Sequence, residues 1–257
     1  MRVIEYGREN DRVAMLLHGG GLGPWSFRAV AELLQDDFHV IVPLLDGHAE
    51  SDDVFCSIEK NAESLIEYID VNCGGRVDFI GGLSLGGQVL LEMLATKPDI
   101  CGAAIIESAS VIPSKITSAL MKPTMDMSYW LIAKRWFAKW QFEYLKIRGD
   151  LFEEYFEDTK KITKENMTAF LAASTAYEIK ESISKSNAKV IVAVGEKEMR
   201  SMQLSAKKIH GAMHDSELVV KNGLCHGEWS INHPEDYASC VAEMTTKDYH
   251  SLQKMLI

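Results

Sequence analysis

Several features that define other classes of protein are missing from this sequence. No apolar run reaches the length of about 20 residues that is needed to span a bilayer. The opening residues, MRVIEYGREN, carry charges at once and no apolar signal core follows, so we expect a cytoplasmic protein. Long basic runs are also lacking, and 37 acidic against 27 basic residues give a formal net charge of -10. We therefore expect neither nucleic-acid binding nor stable membrane insertion.

Cysteine is scarce and is not arranged for cross-linking or metal binding. The five cysteines are an odd number, and none forms a CxxC pair. They are Cys56, Cys73, Cys101, Cys225 and Cys240. We expect free thiols in a reducing compartment and no metal site built from them.

The sequence does contain a regular alternation of two patterns. Short apolar, β-branched runs predict mostly buried strands at Val13–Leu17, His39–Leu45, Val77–Ile80, Ala103–Ile106, Lys189–Val194 and Glu217–Val220. Helical patterns lie between them at Trp25–Gln35, Ser57–Val71, Ser84–Thr96, Met202–Gly211 and Pro234–Met244, with a last one near the C-terminus. The N-terminal RVIEYG can add an edge strand. This alternation predicts the α/β class, with a mostly parallel central sheet that helices cover on both faces.

The alternation stops between Ile112 and Asn187, where the pattern is helical throughout. We interpret residues 112–187 as a helical cap inserted between two parts of one core, residues 1–111 and 188–257. Within the cap, large side chains recur at three- and four-residue steps, which predicts one helix face. They are Tyr129, Ala133, Trp136, Trp140 and Tyr144.

This aromatic face has three interpretations. It can pack the cap onto the core, or part of it can line an apolar substrate pocket, for which Trp136, Trp140 and Met125 are the candidates. A helix on a membrane surface is the third interpretation, because basic residues lie among the aromatics. The negative charge of the whole chain argues against it.

Ser84 lies in the stretch VDFIGGLSLGGQVL, which has the pattern G-x-S-x-G between a predicted strand and a predicted helix. A turn this sharp needs small neighbours, which Gly82 and Gly86 supply. It would lift the hydroxyl above the sheet edge at a helix N-terminus, whose partial positive charge favours a developing oxyanion. We interpret Ser84 as a nucleophile, and the alternative is a serine that merely caps the helix.

A serine nucleophile needs a base, and His226 is the best candidate, in the loop KNGLCHGEW after the last predicted strand. The alternatives are His18, His48 and His233.

The base needs an orienting acid, and Glu198 lies in the loop GEKEMRSM, beyond the end of the strand KVIVAV. Glu196 in the same loop and Glu107 after another strand remain as alternatives.

Two backbone N–H groups are candidates for an oxyanion hole. The first belongs to Leu85, directly after the nucleophile. The second belongs to Gly20 in the loop HGGGLGPWSF, with Gly21 as the alternative. A phosphate-binding loop is disfavoured, because neither a Gly-Lys-Ser/Thr ending nor G-x-G-x-x-G spacing is present.

Five motifs in order resemble capped serine hydrolases of the α/β-hydrolase fold: HGGG (18–21), DGHAES (46–51), GLSLGG (82–87), GEKE (195–198) and CHGE (225–228). The resemblance implies this fold and a triad in the order Ser, acid, His, with no metal or organic cofactor. The chain departs from the pattern at Glu198, where aspartate is commoner, and at Ala49, where glycine is frequent. Gln88 replaces the arginine of the related menaquinone-pathway lyases.

These features together predict a serine hydrolase. Its substrate would be a small or medium ester or thioester with an apolar acyl part, cleaved through an acyl-enzyme on Ser84. The same triad could attack a lactone, a carbon–carbon bond or an amide, since the pocket decides. A small-molecule receptor of this fold with little turnover is the alternative from another class.

Overall fold

The computed structural model describes residues 1–246, and within them seven strands form one sheet. The strands are β1 (Val3–Tyr6), β2 (Val13–Leu17), β3 (His39–Pro43), β4 (Val77–Leu83), β5 (Cys101–Glu107), β6 (Lys189–Gly195) and β7 (Ser216–Lys221). Their order is β1-β3-β2-β4-β5-β6-β7. Only β1 runs antiparallel, against β3, and the other pairs are parallel. The predicted mostly parallel sheet and its N-terminal edge strand are confirmed.

One strand differs from the expectation of a buried sheet. Glu217 and Val220 of β7 are exposed. In the described part of the chain β7 is the last strand of the sheet, so no further strand packs beside them. The prediction of a mostly buried strand there is wrong, because its β-branched sequence indicates a strand but not its place in the sheet.

Ten α-helices occur in residues 1–246. They are α1 (Arg28–Leu34), α2 (Ile58–Asn72), α3 (Leu85–Thr96), α4 (Lys115–Ser128), α5 (Arg135–Tyr144), α6 (Phe152–Thr159), α7 (Lys164–Ala176), α8 (Arg200–Ala212), α9 (Glu228–Asn232) and α10 (Pro234–Thr245). None of them is long and apolar enough to cross a membrane. The helix predicted near the C-terminus lies outside the described residues.

The sheet separates two apolar cores, as the two-residue period of a strand requires. Met15 and Leu17 of β2 point to one face and pack with α2, α3 and α8. Ala14 and Leu16 point to the other face and pack with α1 and α10. Helices on both faces leave the ends of the strands as the accessible edges of the sheet.

Helices α4 to α7 lie in residues 112–187, the segment that the sequence predicts to be a cap. Helix α4 packs against α7 and has no buried residue, whereas α5 buries Ala138 and Phe142. The ring of Phe142 lies 5.4 Å from that of Phe152 in α6. The predicted continuous face from Tyr129 to Tyr144 does not form, because the chain makes a non-helical turn around Ala133.

The turn from β4 into α3 brings backbone against backbone. A Cβ atom on Gly82 would lie 2.6 Å from the carbonyl oxygen of Gly86. A Cβ atom on Gly86 would lie 2.1 Å from the carbonyl oxygen of Leu17, at the end of β2. Both distances are far below van der Waals contact, so these two positions require glycine.

We expect Gly86→Ala to lower the free energy of unfolding by about 3 kcal/mol or more, because the new methyl group overlaps backbone that cannot move without separating α3 from β2. Gly211→Ala in α8 is the matched control, since a Cβ atom there meets nothing within 4 Å. The control should gain about 0.5–1 kcal/mol from helix propensity. Urea unfolding of both variants measures this, and equal stability would contradict the close approach.

Candidate active site

The loops at the carboxyl ends of the parallel strands gather polar side chains at one edge of the sheet. His18 follows β2, Ser84 follows β4, Ser108 follows β5, Glu198 follows β6 and His226 follows β7. In parallel α/β sheets this edge is where ligands bind.

Ser84 occupies the turn in a strained conformation, with φ 53° and ψ -110°. This left-handed φ is uncommon for a residue with a side chain. The backbone N–H of Ser84 donates to the carbonyl oxygen of Glu107 at 2.8 Å, which fixes the turn to β5. The hydroxyl makes no capping hydrogen bond to α3, so the interpretation of Ser84 as a simple helix cap is wrong.

The structure brings His226 and Glu198 together. The Nδ1 atom of His226 lies 2.8 Å from Oε2 of Glu198. The Glu198 side chain is only 2% exposed, whereas His226 is 37% exposed. A buried carboxylate therefore holds Nδ1, and Nε2 forms no hydrogen bond within residues 1–246.

The two alternative acids make their hydrogen bonds to other groups. Glu196 is exposed, and its Oε2 accepts a hydrogen bond from the backbone N–H of Gly223. Glu107 is buried, and its Oε1 accepts a hydrogen bond from the backbone N–H of Ser230 at 3.4 Å. Neither makes a hydrogen bond to His226 in the part of the chain that the structure describes.

Glu198 is ionised despite its burial. Burial alone would raise the pKa of its carboxyl, but three hydrogen bonds outweigh this and hold the pKa below its usual value. The donors are His226, the Ser108 hydroxyl at 2.7 Å and the Gly195 backbone N–H at 2.8 Å. The result is a fixed negative charge beside the imidazole.

The remaining candidate histidines are not suited to act as the base. His18 is fully buried, and burial lowers its pKa to about 3. Its Nε2 accepts a hydrogen bond from the Leu45 backbone N–H at 3.1 Å. His48 is also buried, with its pKa lowered to about 4 by burial, and its ring stacks on Phe170. His233 is exposed at the start of α10.

Two backbone N–H groups near Ser84 are available as hydrogen-bond donors. Those of Leu85 and Gly20 donate to no acceptor among residues 1–246. A Cβ atom on Gly20 would lie 3.5 Å from Cδ2 of Leu85 and 3.3 Å from the Phe170 ring. The Gly20 backbone thus approaches the start of α3 closely, as an oxyanion hole needs.

Ser84 and His226 face one cavity of about 90 Å³. Its other lining residues come from both the predicted core and the predicted cap segment: Gly19, Gly20, Leu22, Leu83, Leu145, Ile147, Gly227 and Ile231. Among the described residues, the Ser84 hydroxyl and the His226 ring make no direct hydrogen bond. Such contacts are often long in free enzymes and tighten when substrate binds.

The predicted pocket residues do not line this cavity, and the prediction is corrected. Trp136 and Trp140 are 66% and 61% exposed, and they point away from the buried side of α5. Met125 is partly buried and packs against the core instead. The four-residue period gives residues a common helix face, but it does not say which face meets the core.

Sequence reasoning missed Ser108, Leu145 and Ile147. Ser108 has φ 56°, a left-handed value that a buried serine adopts only under constraint, and its hydroxyl donates to Glu198. Leu145 and Ile147 follow α5 and form the apolar cavity wall. No local motif indicates any of them, because their roles depend on contacts between distant parts of the chain.

Gln88 is fully buried away from the cavity. Its Nε2 donates to the carbonyl oxygens of Ser110 at 2.7 Å and Ser174 at 2.9 Å. Gln88 therefore links α3 to the end of α7 through hydrogen bonds. At this position, where the menaquinone-pathway lyases carry arginine, the side chain stabilises the fold.

The mostly parallel sheet, the strained serine turn after β4 and the buried acid–histidine pair define the class of α/β hydrolases. The model of the α/β hydrolase family matches residues 14–220. The chain belongs to this family.

Known proteins similar to this chain include hydrolases. A thermostable monoacylglycerol lipase from Bacillus sp. (strain H-257) is 32% identical over 113 residues, which cover 41% of this chain and 44% of the lipase. A thermophilic esterase from Thermogutta terrifontis has a TM-score of 0.75 at 20% identity, over 94% of this chain and 91% of that one. An enol-lactonase from Burkholderia xenovorans LB400 has a TM-score of 0.81 at 14% identity, over 96% of both chains. The two solved structures share the fold.

Glu107 lies at the end of β5 and gives the site a second buried carboxyl. Burial raises its pKa from 4.5 to about 7, which the hydrogen bond from Ser230 and the nearby His226 only partly oppose. The charge of Glu198 also raises it, and the Tyr237 hydroxyl lies close by. Glu107 is therefore largely protonated in the folded protein below neutral pH.

Replacing Glu107 by glutamine should stabilise the protein in a pH-dependent way. Between pH ~4.5 and ~7 the folded state keeps a proton that the unfolded chain has released, so the free energy of unfolding of the wild type falls as pH rises. Glutamine does not titrate, so the free energy of unfolding of Glu107→Gln should not fall in this pH range. By pH ~7 its difference from the wild type should exceed the difference at pH ~4.5 by up to about 3 kcal/mol. Urea unfolding at several pH values measures the difference.

Glu67→Gln is the control for this experiment, because Glu67 is exposed on α2. As a substitution at an exposed position, it should change the free energy of unfolding by no more than about 0.5 kcal/mol. A difference between Glu107→Gln and the wild type that stays constant with pH would contradict the protonated state of Glu107.

Proposed function

We propose that this protein is a serine hydrolase that cleaves an ester or thioester with an apolar acyl group. One observation carries the proposal: His226, held by the buried Glu198, faces the same cavity as the strained Ser84. Nucleophile, acid and base follow one another in the chain order of the family's triads. The relation to a monoacylglycerol lipase also supports ester cleavage.

In the first half of the proposed reaction, the Ser84 oxygen attacks the carbonyl carbon while His226 Nε2 takes the hydroxyl proton. Glu198 stays ionised and stabilises the imidazolium that forms. The negative oxygen of the tetrahedral intermediate accepts hydrogen bonds from the N–H groups of Leu85 and Gly20. The intermediate collapses, and the leaving group departs with the proton from His226.

The second half reverses these roles. A water molecule gives a proton to His226 and attacks the acyl carbon of the ester on Ser84. The same two N–H groups bind the second oxyanion, and its collapse returns the proton to Ser84 and releases the acid. The groups that the chain supplies are sufficient for each step.

The cavity size supports a short acyl group. Its volume of about 90 Å³ is small beside the roughly 300–1,000 Å³ of pockets for drug-sized ligands. Leu22, Leu145, Ile147 and Ile231 make its wall apolar. An acyl chain of a few carbons fits this space, whereas a long chain requires Leu145 and Ile147 to move.

A fluorophosphonate probe tests the nucleophile. We expect one covalent adduct on the wild type and none on Ser84→Ala, by intact mass after incubation near pH 8. Ser26→Ala, a change at a buried serine outside the cavity, should still form the adduct. An adduct that persists on Ser84→Ala would place the reactive hydroxyl elsewhere, and no adduct on folded wild type would favour the receptor alternative.

A series of p-nitrophenyl esters tests the cavity wall. The wild type should prefer the shortest acyl chains, and Ile147→Ala should raise kcat/KM for chains longer by a few carbons, about tenfold relative to acetate, because it removes about three methylene groups from the wall. Ile183→Ala, a truncation of a buried isoleucine away from the cavity, is the control. An unchanged preference in Ile147→Ala would show that another wall limits the acyl group.

A further inference from the structure

The outer face of α5 is strongly apolar. Trp136, Trp140 and Tyr144 follow one another at four-residue steps, so they share one side of the helix. They are 66%, 61% and 76% exposed. The opposite side buries Ala138 and Phe142, so α5 carries large apolar groups both inside and out.

Helix α4 repeats this arrangement. Ile116, Leu120 and Met127 are separated by four and seven residues, which places them on one side, and all three are exposed. Trp130, in the turn between the two helices, is exposed as well. We name these seven exposed residues, which lie in one stretch of chain, the outer cap surface: Ile116, Leu120, Met127, Trp130, Trp136, Trp140 and Tyr144.

The amount of exposed apolar surface is unusual. The aromatic members alone place roughly 500 Å² in water, since a tryptophan or tyrosine side chain covers about 150–250 Å². That is already comparable to the largest apolar patch of a typical monomer. Exposed apolar surface of this size is typical of a site that a binding partner covers.

The chain segment that carries this surface differs in charge sign from the whole chain, whereas α6, which packs on α5 and pairs Glu153 with Arg135, is acidic. Residues 113–148 contain seven basic residues and two acidic ones, a net charge of +5, within a chain of net charge -10. The basic residues are Lys115, Lys122, Lys134, Arg135, Lys139, Lys146 and Arg148. Four of them, Lys115, Lys134, Lys139 and Lys146, form no ion pair within residues 1–246.

We propose that the outer cap surface docks the protein onto an anionic phospholipid surface without spanning it. Tryptophan and tyrosine favour the boundary between water and lipid, and unpaired lysines are attracted to anionic headgroups. Because salt screens charges beyond about 8–10 Å, the headgroups respond mainly to the charges nearest to them, and these include the four lysines without an ion pair. The net charge of the chain therefore does not oppose this docking.

A second copy of the chain is a less suitable partner. In a two-fold dimer the same surface meets itself, so the unpaired lysines of both copies would face one another. Like charges across an interface oppose association. A lipid surface removes the aromatics from water and supplies the opposite charge at the same time.

Vesicle flotation tests the docking separately from hydrolysis, because the Ser84→Ala protein can be used. The vesicles are phosphatidylcholine alone or with about a quarter phosphatidylglycerol. We expect binding to the anionic vesicles that weakens with added salt, little binding to phosphatidylcholine, and a blue shift of tryptophan fluorescence. Trp136→Ser with Trp140→Ser should weaken anionic binding by at least about tenfold.

Two matched controls isolate the surface. Val71→Ser removes an equally exposed apolar side chain on α2 and should leave binding unchanged. Lys139→Glu should weaken binding by about tenfold, whereas Lys207→Glu, at an exposed lysine of α8, should not. Circular dichroism verifies that each variant is folded.

Three results would overturn the proposal. They are no binding to anionic vesicles, equal binding to both kinds of vesicle, and binding that the aromatic substitutions leave intact. A dimer that depends on Trp136 and Trp140 in sedimentation equilibrium, together with no lipid binding, would identify a second copy as the partner.

Discussion

The buried carboxylate of Glu198 is the interaction on which the candidate site depends. A carboxylate that is 2% exposed is unstable unless donors replace its water, and here the donors come from the ends of three neighbouring strands. Ser108 follows β5, Gly195 ends β6 and His226 follows β7. One charge thus fixes the relative positions of three loops. Losing any donor leaves that charge under-satisfied, so the loops and the orientation of His226 are stabilised together.

The serine turn depends on a second constraint, the contact of α3 with the end of β2. Gly86 lets the helix start against the Leu17 carbonyl, and the same approach brings the His18–Gly20 loop beside Leu85. His18 supports that loop through its hydrogen bond with Leu45, and its buried, neutral ring adds no charge to the site. The strain at Ser84 is therefore balanced by packing on β2 and by its hydrogen bond to β5.

The sequence predicts the sheet, most helices and the strand ends that carry polar residues, because each depends on local periodicity and glycine placement. It cannot choose among Glu198, Glu196 and Glu107, since all three lie near the carboxyl ends of strands and only the turn after β6 directs one of them toward His226. Ser108 has no local signature at all. The aromatic residues of α5 show most clearly what periodicity cannot predict. Their spacing correctly places them on one helix face. Ala138 and Phe142 form the opposite face, and the spacing alone does not reveal which of the two faces is buried.

The outer cap surface and part of the cavity wall belong to one continuous stretch of chain. Tyr144 ends α5 in solvent, and Leu145 and Ile147 line the cavity directly after it. Asn232 holds this stretch to α9 through hydrogen bonds with the Lys146 carbonyl at 2.7 Å and the Arg148 N–H at 3.0 Å. A displacement of α5 would therefore move Leu145 and Ile147, which follow it directly. The hydrogen bonds of Asn232 oppose that movement. If the protein is a hydrolase that docks on lipid, the acyl length that fits beside Ser84 depends on the position of α5. A lipid surface that binds α5 would then influence the position of α5 and the acyl length.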